Sequence, residues 1–565
     1  GDALVRLLPE VEITRAGDEL AWLAARALQP KEQPTVSLAH LLRSITLAAL
    51  AADASAAARP ADPAGPGSAA PGRIPHEVQD HRCIVVGSGF GGGVASLRLA
   101  TAGVPVVVLE RGRRWPTGPD ARTFPSASAP DERALWFRSA PEIFGRRVDL
   151  PRYTGLLDAS VGENMTSVCA TGVGGGSLIY QGMALQPTEE LFRTWFPGAI
   201  DWREMDREYY PRVSRVLRLA EAPDELIESR PYAASRVFAD RVRAAGLPLR
   251  KIPMPIDWDY ALAELRGEMR PSYTNGDGSF GVNNGGNHSV DVTYLAQAEA
   301  TGLVEVRPLH DVRAMRRSPD GRWELDVEEL DTAGNVVRTL TMRAPALMLA
   351  AGSVGTATLL TRAAATGAVS DLPESVGDGW GTNADRIYAW TDPTADFGAV
   401  QGGPVVYGSL NWSDPTTAHT VIQASTPPFG PDLHTTMLVG YGVSADRGRI
   451  VYDPAQDRGV IRWPAAGDSG IRRHIERTAR TIVGPSSHLT DTNAFVNSTW
   501  HPLGGAPMGR VCDIDGRVLG QRGLYVVDGA LIPGTTAACN PSLTIAAIAE
   551  RALDRIVRHD VGGVI

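Results

Sequence analysis

The sharpest hydrophobic pattern along the chain begins at residue 83. Cys83 to Val86 form a short apolar, β-branched run that predicts a strand, and GSGFGG follows at once. Val94 to Ala102 reads as a helix, and Val104 to Leu109 make a second apolar run that ends in Glu110. The order of buried strand, small-residue turn and helix returns over residues 345–361. A further strand at Leu524 to Val527 presents Asp528 and Gly529, and a helix starts at Pro541. Residues 1–58 are different. Apolar positions such as Leu20, Trp22, Leu23 and Leu28, set among alanines and charges, predict helical segments without evident chemistry, and residues 59–77 have the Pro, Ala and Gly content of a linker.

Composition narrows the class. A chain of 565 residues exceeds what one core usually organises, so two intimately joined domains are expected. Sixty glycines and 41 prolines point to many tight turns. The formal charge of −9 and scattered arginines leave no broad basic surface, which sets nucleic acid aside. Cys83, Cys169, Cys512 and Cys539 lie far apart with no CxxC pair, so neither a metal site nor a disulfide framework is signalled. No apolar run is long enough to span a bilayer. Ser44 to Ala58 has the look of a short signal core but reads better as helix running into linker, so a cytoplasmic location is favoured and secretion stays open.

The segment at residue 83 carries dinucleotide chemistry. Gly87 permits a tight turn, Gly89 lets the backbone approach a pyrophosphate, and Gly92 lets helix and strand pack closely, with the helix N-terminus facing the phosphate charge. Glu110 stands where a carboxylate accepts hydrogen bonds from ribose hydroxyls. A second glycine loop, TGVGGGSLIYQGM at residues 171–183, suits a pyrophosphate or a flat ring equally well. Alone these segments do not separate FAD from NAD.

Taken together, GSGFGGG, GVGGGSLIYQGMALQP, FGVNNGG, LAAGSVGTATLL, HPLGG and DGALIPGTTAACNPSLTIAAIAER resemble, in the same order, the glucose–methanol–choline (GMC) oxidoreductases, and most closely the cholesterol oxidase-like subfamily with non-covalent FAD. The similarity runs from about residue 80 to 560. It implies an α/β fold, in which a Rossmann-like FAD-binding domain is assembled from residues 78–118, 290–378 and 505–565. An α+β substrate domain with a mixed sheet would use 119–289 and 379–504. It further implies that Gly87, Gly89, Gly92 and Glu110 hold the ADP portion, that Val312 meets the adenine through its backbone, that Asp528 and Gly529 sit by the ribityl chain and pyrophosphate, and that Gly174, Gly175 and Ser177 pass along the flavin.

The implied activity moves a hydride from a secondary alcohol carbon to flavin N5, giving a ketone, with O2 or another electron acceptor restoring the flavin. Such a step needs a base and an orienting donor. His501 in WHPLGG is the candidate base, since imidazole titrates near neutral pH and a tight turn would fix its direction. Asn540 is the matching donor; it is equally a helix N-cap followed by Pro at the first helical position, and that helix would aim its positive end at the flavin. Tyr180 stands where cholesterol oxidases usually carry Asn, Met183 falls beside the substrate, and Ala506 replaces a common Cys. The position of the Glu that shifts a ring double bond falls on Gln423, and an amide cannot carry that proton. The expectation is a small, apolar, sterol-like or other polycyclic alcohol as substrate, without isomerisation. The apolar stretches Val405 to Leu410 and Met437 to Val443 fit either a substrate cavity or core strands. A dehydrogenase with a non-oxygen acceptor, and a flavin fold doing non-redox work, remain alternatives; oligomeric state is not readable.

Overall fold

Strands that are buried at every position have no face to give to water, and here four of them assemble in the interior beside a fifth at the sheet edge, Val304–Arg307, which carries Glu305 and Arg307. Leu524–Val526, Ala346–Leu349, Cys83–Val86, Val106–Leu109 and Val304–Arg307 form, in that order, a five-stranded sheet in the computed structural model, and every pairing is parallel. The structure describes residues 74–127, 131–136, 142–143, 146–147, 153–428, 430–494 and 497–565. The helices expected over 1–58, the stretch 44–58 and most of the expected linker lie outside the described residues. The last linker residues are already strand, because His76–Asp80 pairs parallel with Val336–Ala344.

Level register brings the strand ends together. Val86 lies opposite Leu109 and Leu349, and Leu349 opposite Val526, so the glycine turn, Glu110, Ala350–Gly352 and Asp528 meet along one carboxyl edge. At that edge Gly87 has φ +98°, and a Cβ there would overlap the carbonyl of Ala350. The helix that follows spans Phe90–Thr101, starting four residues before the expected Val94. Helix propensity argues against the glycines at 91–93, but close approach demands them: a Cβ on Gly91 would strike the Val527 carbonyl, and one on Gly93 the Val290 side chain. The long C-terminal helix, Pro541–Asp560, begins where expected and is held in the core by Arg212, which pairs with buried Glu550 at 3.0 Å.

The second large sheet is built on the opposite rule. His488–Asp491, Arg386–Thr391, Thr435–Gly442, His419–Ala424, Tyr407–Asn411 and Arg250–Lys251 pair in that order, antiparallel throughout. Parallel and antiparallel pairings mix in smaller sheets, such as Leu157–Val161, Thr166–Ala170 and Ser498–Thr499. One face of the six-stranded sheet packs Tyr388, Trp390, Val421 and Leu438 against the helices Ala233–Ala244 and Ser469–Val483. The other face, through Ile387, Val439 and Ile422 in one row and Met437 and Ala424 in the next, turns toward the carboxyl edge of the parallel sheet.

Candidate active site

Between the carboxyl edge and the sheet face lies a cavity of about 950 Å³. Its first half is backbone. Gly87 to Gly91, Ala350 to Gly355, Asp528 and Gly529 line it, and the second glycine loop closes on the first, with Gly175 against Gly89. A Cβ on Gly176 would meet nothing within 4 Å, and one on Gly89 only the Cα of Gly175 at 3.9 Å, so two stretches of bare main chain face an extended groove. Glu110 closes one end: Oε2 accepts from the Ser88 amide at 3.2 Å and its hydroxyl at 2.6 Å, and Oε1 from the Gly112 amide at 2.9 Å. Asp528 accepts from the amides of Gly352 and Ala530, each at 2.8 Å, and from the Thr356 hydroxyl at 2.6 Å. Burial pushes its carboxyl up to about 6 against those hydrogen bonds. Val312 also lines this half. These surfaces fit a dinucleotide such as FAD, whose charged centre asks for backbone amides and whose ribose asks for a carboxylate.

Three expected cofactor contacts lie elsewhere. Gly92 packs under the turn, where a Cβ would overlap the Gly87 carbonyl. Gly174 and Ser177 are absent from the cavity wall, because the Ser177 hydroxyl donates to the Gly174 carbonyl at 2.7 Å and accepts from the Val290 amide at 2.8 Å, bracing the loop from behind. Gly175 and Gly176 take the exposed place instead.

The second half is side chain and mostly apolar, with Ile387, Ile422, Ala424, Met437 and Val439 from the sheet and Ile179, Met183 and Trp500 around it. Met437 and Val439 thus line the cavity, whereas Val405 and Leu410 of the other apolar stretch belong to the core. Tyr180 is on the wall, its ring 5.7 Å from that of Phe90 and its hydroxyl donating to the His288 carbonyl at 3.3 Å. Burial holds that phenol well above its ordinary range, so it stays protonated. Gln423 is a correction. It lies one residue out of phase with Ile422 and Ala424, and strand parity turns it to the helix side, where it accepts from the Ser235 hydroxyl at 2.9 Å and donates to Thr436 at 3.0 Å. A carboxylate at 423 would not reach a substrate.

His501 and Asn540 both stand where the two halves meet. Asn540 occupies the N-cap position of the Pro541 helix, yet its side chain makes no capping bond. Its Oδ1 accepts from the Leu185 amide at 3.3 Å, and its Nδ2 donates to the Met183 carbonyl and to Ser542. The expected free donor toward substrate is therefore engaged in holding the Met183 segment against the helix start. His501 has a partner that sequence reasoning missed. Its Nδ1 lies 2.7 Å from Oδ1 of Asp385, a carboxylate only 4% exposed. Asp385 sits 116 residues earlier, one acid among 64 acidic residues, and no local pattern marks it.

Comparison with known proteins supplies the class. The family model described as GMC oxidoreductase matches residues 455–549. The chain is an FAD-dependent alcohol oxidoreductase similar to the GMC oxidoreductases. It is 26% identical to a cholesterol oxidase of Acinetobacter baumannii over 84% of this chain and 94% of that one. To a cholesterol oxidase of Mycobacterium tuberculosis it is 27% identical, over 84% and 90% of the two chains. Among solved structures the pyridoxine 4-oxidase of Mesorbium loti shares the fold, with a TM-score of 0.59 at 17% identity, covering 85% of this chain and 99% of that one.

Proposed function

We propose that the protein oxidises a secondary hydroxyl on a bulky, apolar, polycyclic alcohol, with a sterol as the leading instance, to the ketone, using FAD held without a covalent bond. The observation that carries this reading is the position of His501, at the seam between a backbone-lined dinucleotide groove and an apolar sheet face. Bound FAD would supply the acceptor for the hydride at N5. His501 would take the hydroxyl proton, and the flat wall of Ile387, Ile422, Ala424, Met437 and Val439 would hold a rigid hydrocarbon frame by burial, worth about 0.8 kcal/mol for each buried methylene. The cholesterol oxidase relatives support the substrate class.

We further propose that no ring double bond is moved. Shifting one needs a carboxylate free to accept a proton from carbon and return it. None of the five sheet side chains on the cavity wall is acidic, and the carboxylate beside them, Asp385, is engaged by residues 499–501. A Δ5-3β-hydroxysteroid should give the unconjugated ketone, and prompt enzymatic appearance of enone absorbance would refute this part.

Oxygen is the proposed acceptor, with peroxide as its product. Tyr180, in place of the usual Asn, is the observation favouring a second reading in which a dye-like or protein carrier takes the electrons; peroxide release measured against dye reduction separates the two. The main test is anaerobic titration of the purified yellow protein with alcohols of graded apolar size. Bleaching that strengthens with size supports the proposal, and a flavin that no alcohol bleaches ends it. Acid precipitation should leave the colour in solution; a yellow pellet would show a covalent bond.

A further inference from the structure

We propose that Asp385 is the positioning residue that sets which nitrogen of His501 carries the proton, and so makes its Nε2 a proton acceptor facing the cavity. The inference rests on the reading of His501 as the base.

The two oxygens of Asp385 do different work. Oδ2 gathers the turn: the Thr499 hydroxyl lies 2.8 Å away, the Trp500 amide donates at 2.9 Å and the His501 amide at 3.1 Å. Oδ1 is left to the ring, 2.7 Å from Nδ1. A carboxylate only accepts, so Nδ1 is the protonated nitrogen, and in the neutral imidazole Nε2 carries the lone pair. Among the described residues no protein group bonds Nε2, and His501 is on the cavity wall. Turn and ring are thus fixed by one buried side chain that itself stands at the start of the Arg386–Thr391 strand, on the sheet that forms the substrate wall. A purely structural role would need Oδ2 alone.

That separation defines the test. Asp385→Asn keeps one oxygen for the donors of residues 499–501 and offers an amide N–H to Nδ1, which must then accept. The proton moves to Nε2, and the ring keeps its place while losing its free lone pair toward substrate. The Asp of the serine protease triad obeys the same logic, since its replacement by Asn leaves the geometry intact and the histidine in the wrong tautomer. With ¹⁵N-histidine in the flavin-containing protein, the His501 signal, assigned by its loss in His501→Gln, should report the Nδ1–H tautomer in the native chain and the reverse in Asp385→Asn. This reading needs no turnover. Anaerobic flavin reduction by an alcohol should slow about 100-fold in Asp385→Asn, and the double variant with His501→Ala should be no slower than His501→Ala alone. A native Nε2–H tautomer overturns the inference even if the variant does not fold. So does an Asp385→Asn enzyme that reduces its flavin at the native rate while His501→Ala is slow. If His501→Ala is itself unimpaired, the reading of His501 as base fails, and the tautomer result still decides whether Asp385 sets the ring.

Discussion

The parallel and antiparallel sheets meet the same cavity in opposite ways. Four of the five parallel strands are buried on both faces, so their side chains are spent on the core and the sheet meets the cavity at its carboxyl edge, through loop backbone at Gly87–Gly91, Ala350–Gly355 and Asp528–Gly529. The antiparallel sheet offers a face, and Ile387, Ile422, Ala424, Met437 and Val439 reach the cavity because they share one parity. Backbone recognition tolerates many neighbours but no Cβ in the wrong place. Side-chain recognition tolerates exchange within a face but not a slip of one residue.

The largest effect is expected at the edge. Gly87→Ala puts a side chain at φ +98° into the Ala350 carbonyl, a strain of about 1–3 kcal/mol before any overlap is counted. Flavin content after purification should fall by about tenfold or more, since each 1.4 kcal/mol is a factor of ten in affinity. A fully yellow Gly87→Ala protein would mean that the two turns part without cost, and the contrast between edge and face would lose its basis.

At the seam the effect is catalytic. His501→Ala should retain flavin and slow its reduction by about two orders of magnitude, the scale of a lost acid–base group. Asn540→Ala should do less, because its amide bonds Leu185 and Met183 and its loss loosens the segment carrying Met183. Stopped-flow reduction under anaerobic conditions compares the two, and equal losses would show that Asn540 acts on the substrate directly.

Legibility followed the same divide. The strands at Cys83–Val86 and Val106–Leu109, the glycine turn and the helix at Pro541 could be read because each is a contiguous pattern with a local physical cause. The helix start at Phe90 escapes such reading because glycines that propensity rejects are imposed by Val527 and Val290 across the fold. Asp385 was invisible, since its meaning arises only when a strand start meets a turn 116 residues away. Gln423 failed for the narrowest reason: counting along a strand locates a residue but not the face it points from.

That parity can be tested with the smallest change in the set. Ala424→Leu adds three carbons to the cavity wall, and overpacking of about 1–3 kcal/mol should weaken binding of a bulky alcohol roughly tenfold while a small alcohol is little affected. Gln423→Leu, next door, should leave the Michaelis constants for both alcohols within about twofold of native, because the side chain lies against Ser235 and Thr436 on the helix side. Its cost should appear in stability, about 1–3 kcal/mol for a Ser235 hydroxyl left buried without its acceptor, read from the urea midpoint of unfolding. Thr436 would suffer less, since it also donates to Gln401 at 2.9 Å. The reverse outcome, with substrate selectivity moved by residue 423 and not by 424, would place the opposite parity of this strand against the substrate and return Gln423 to the site.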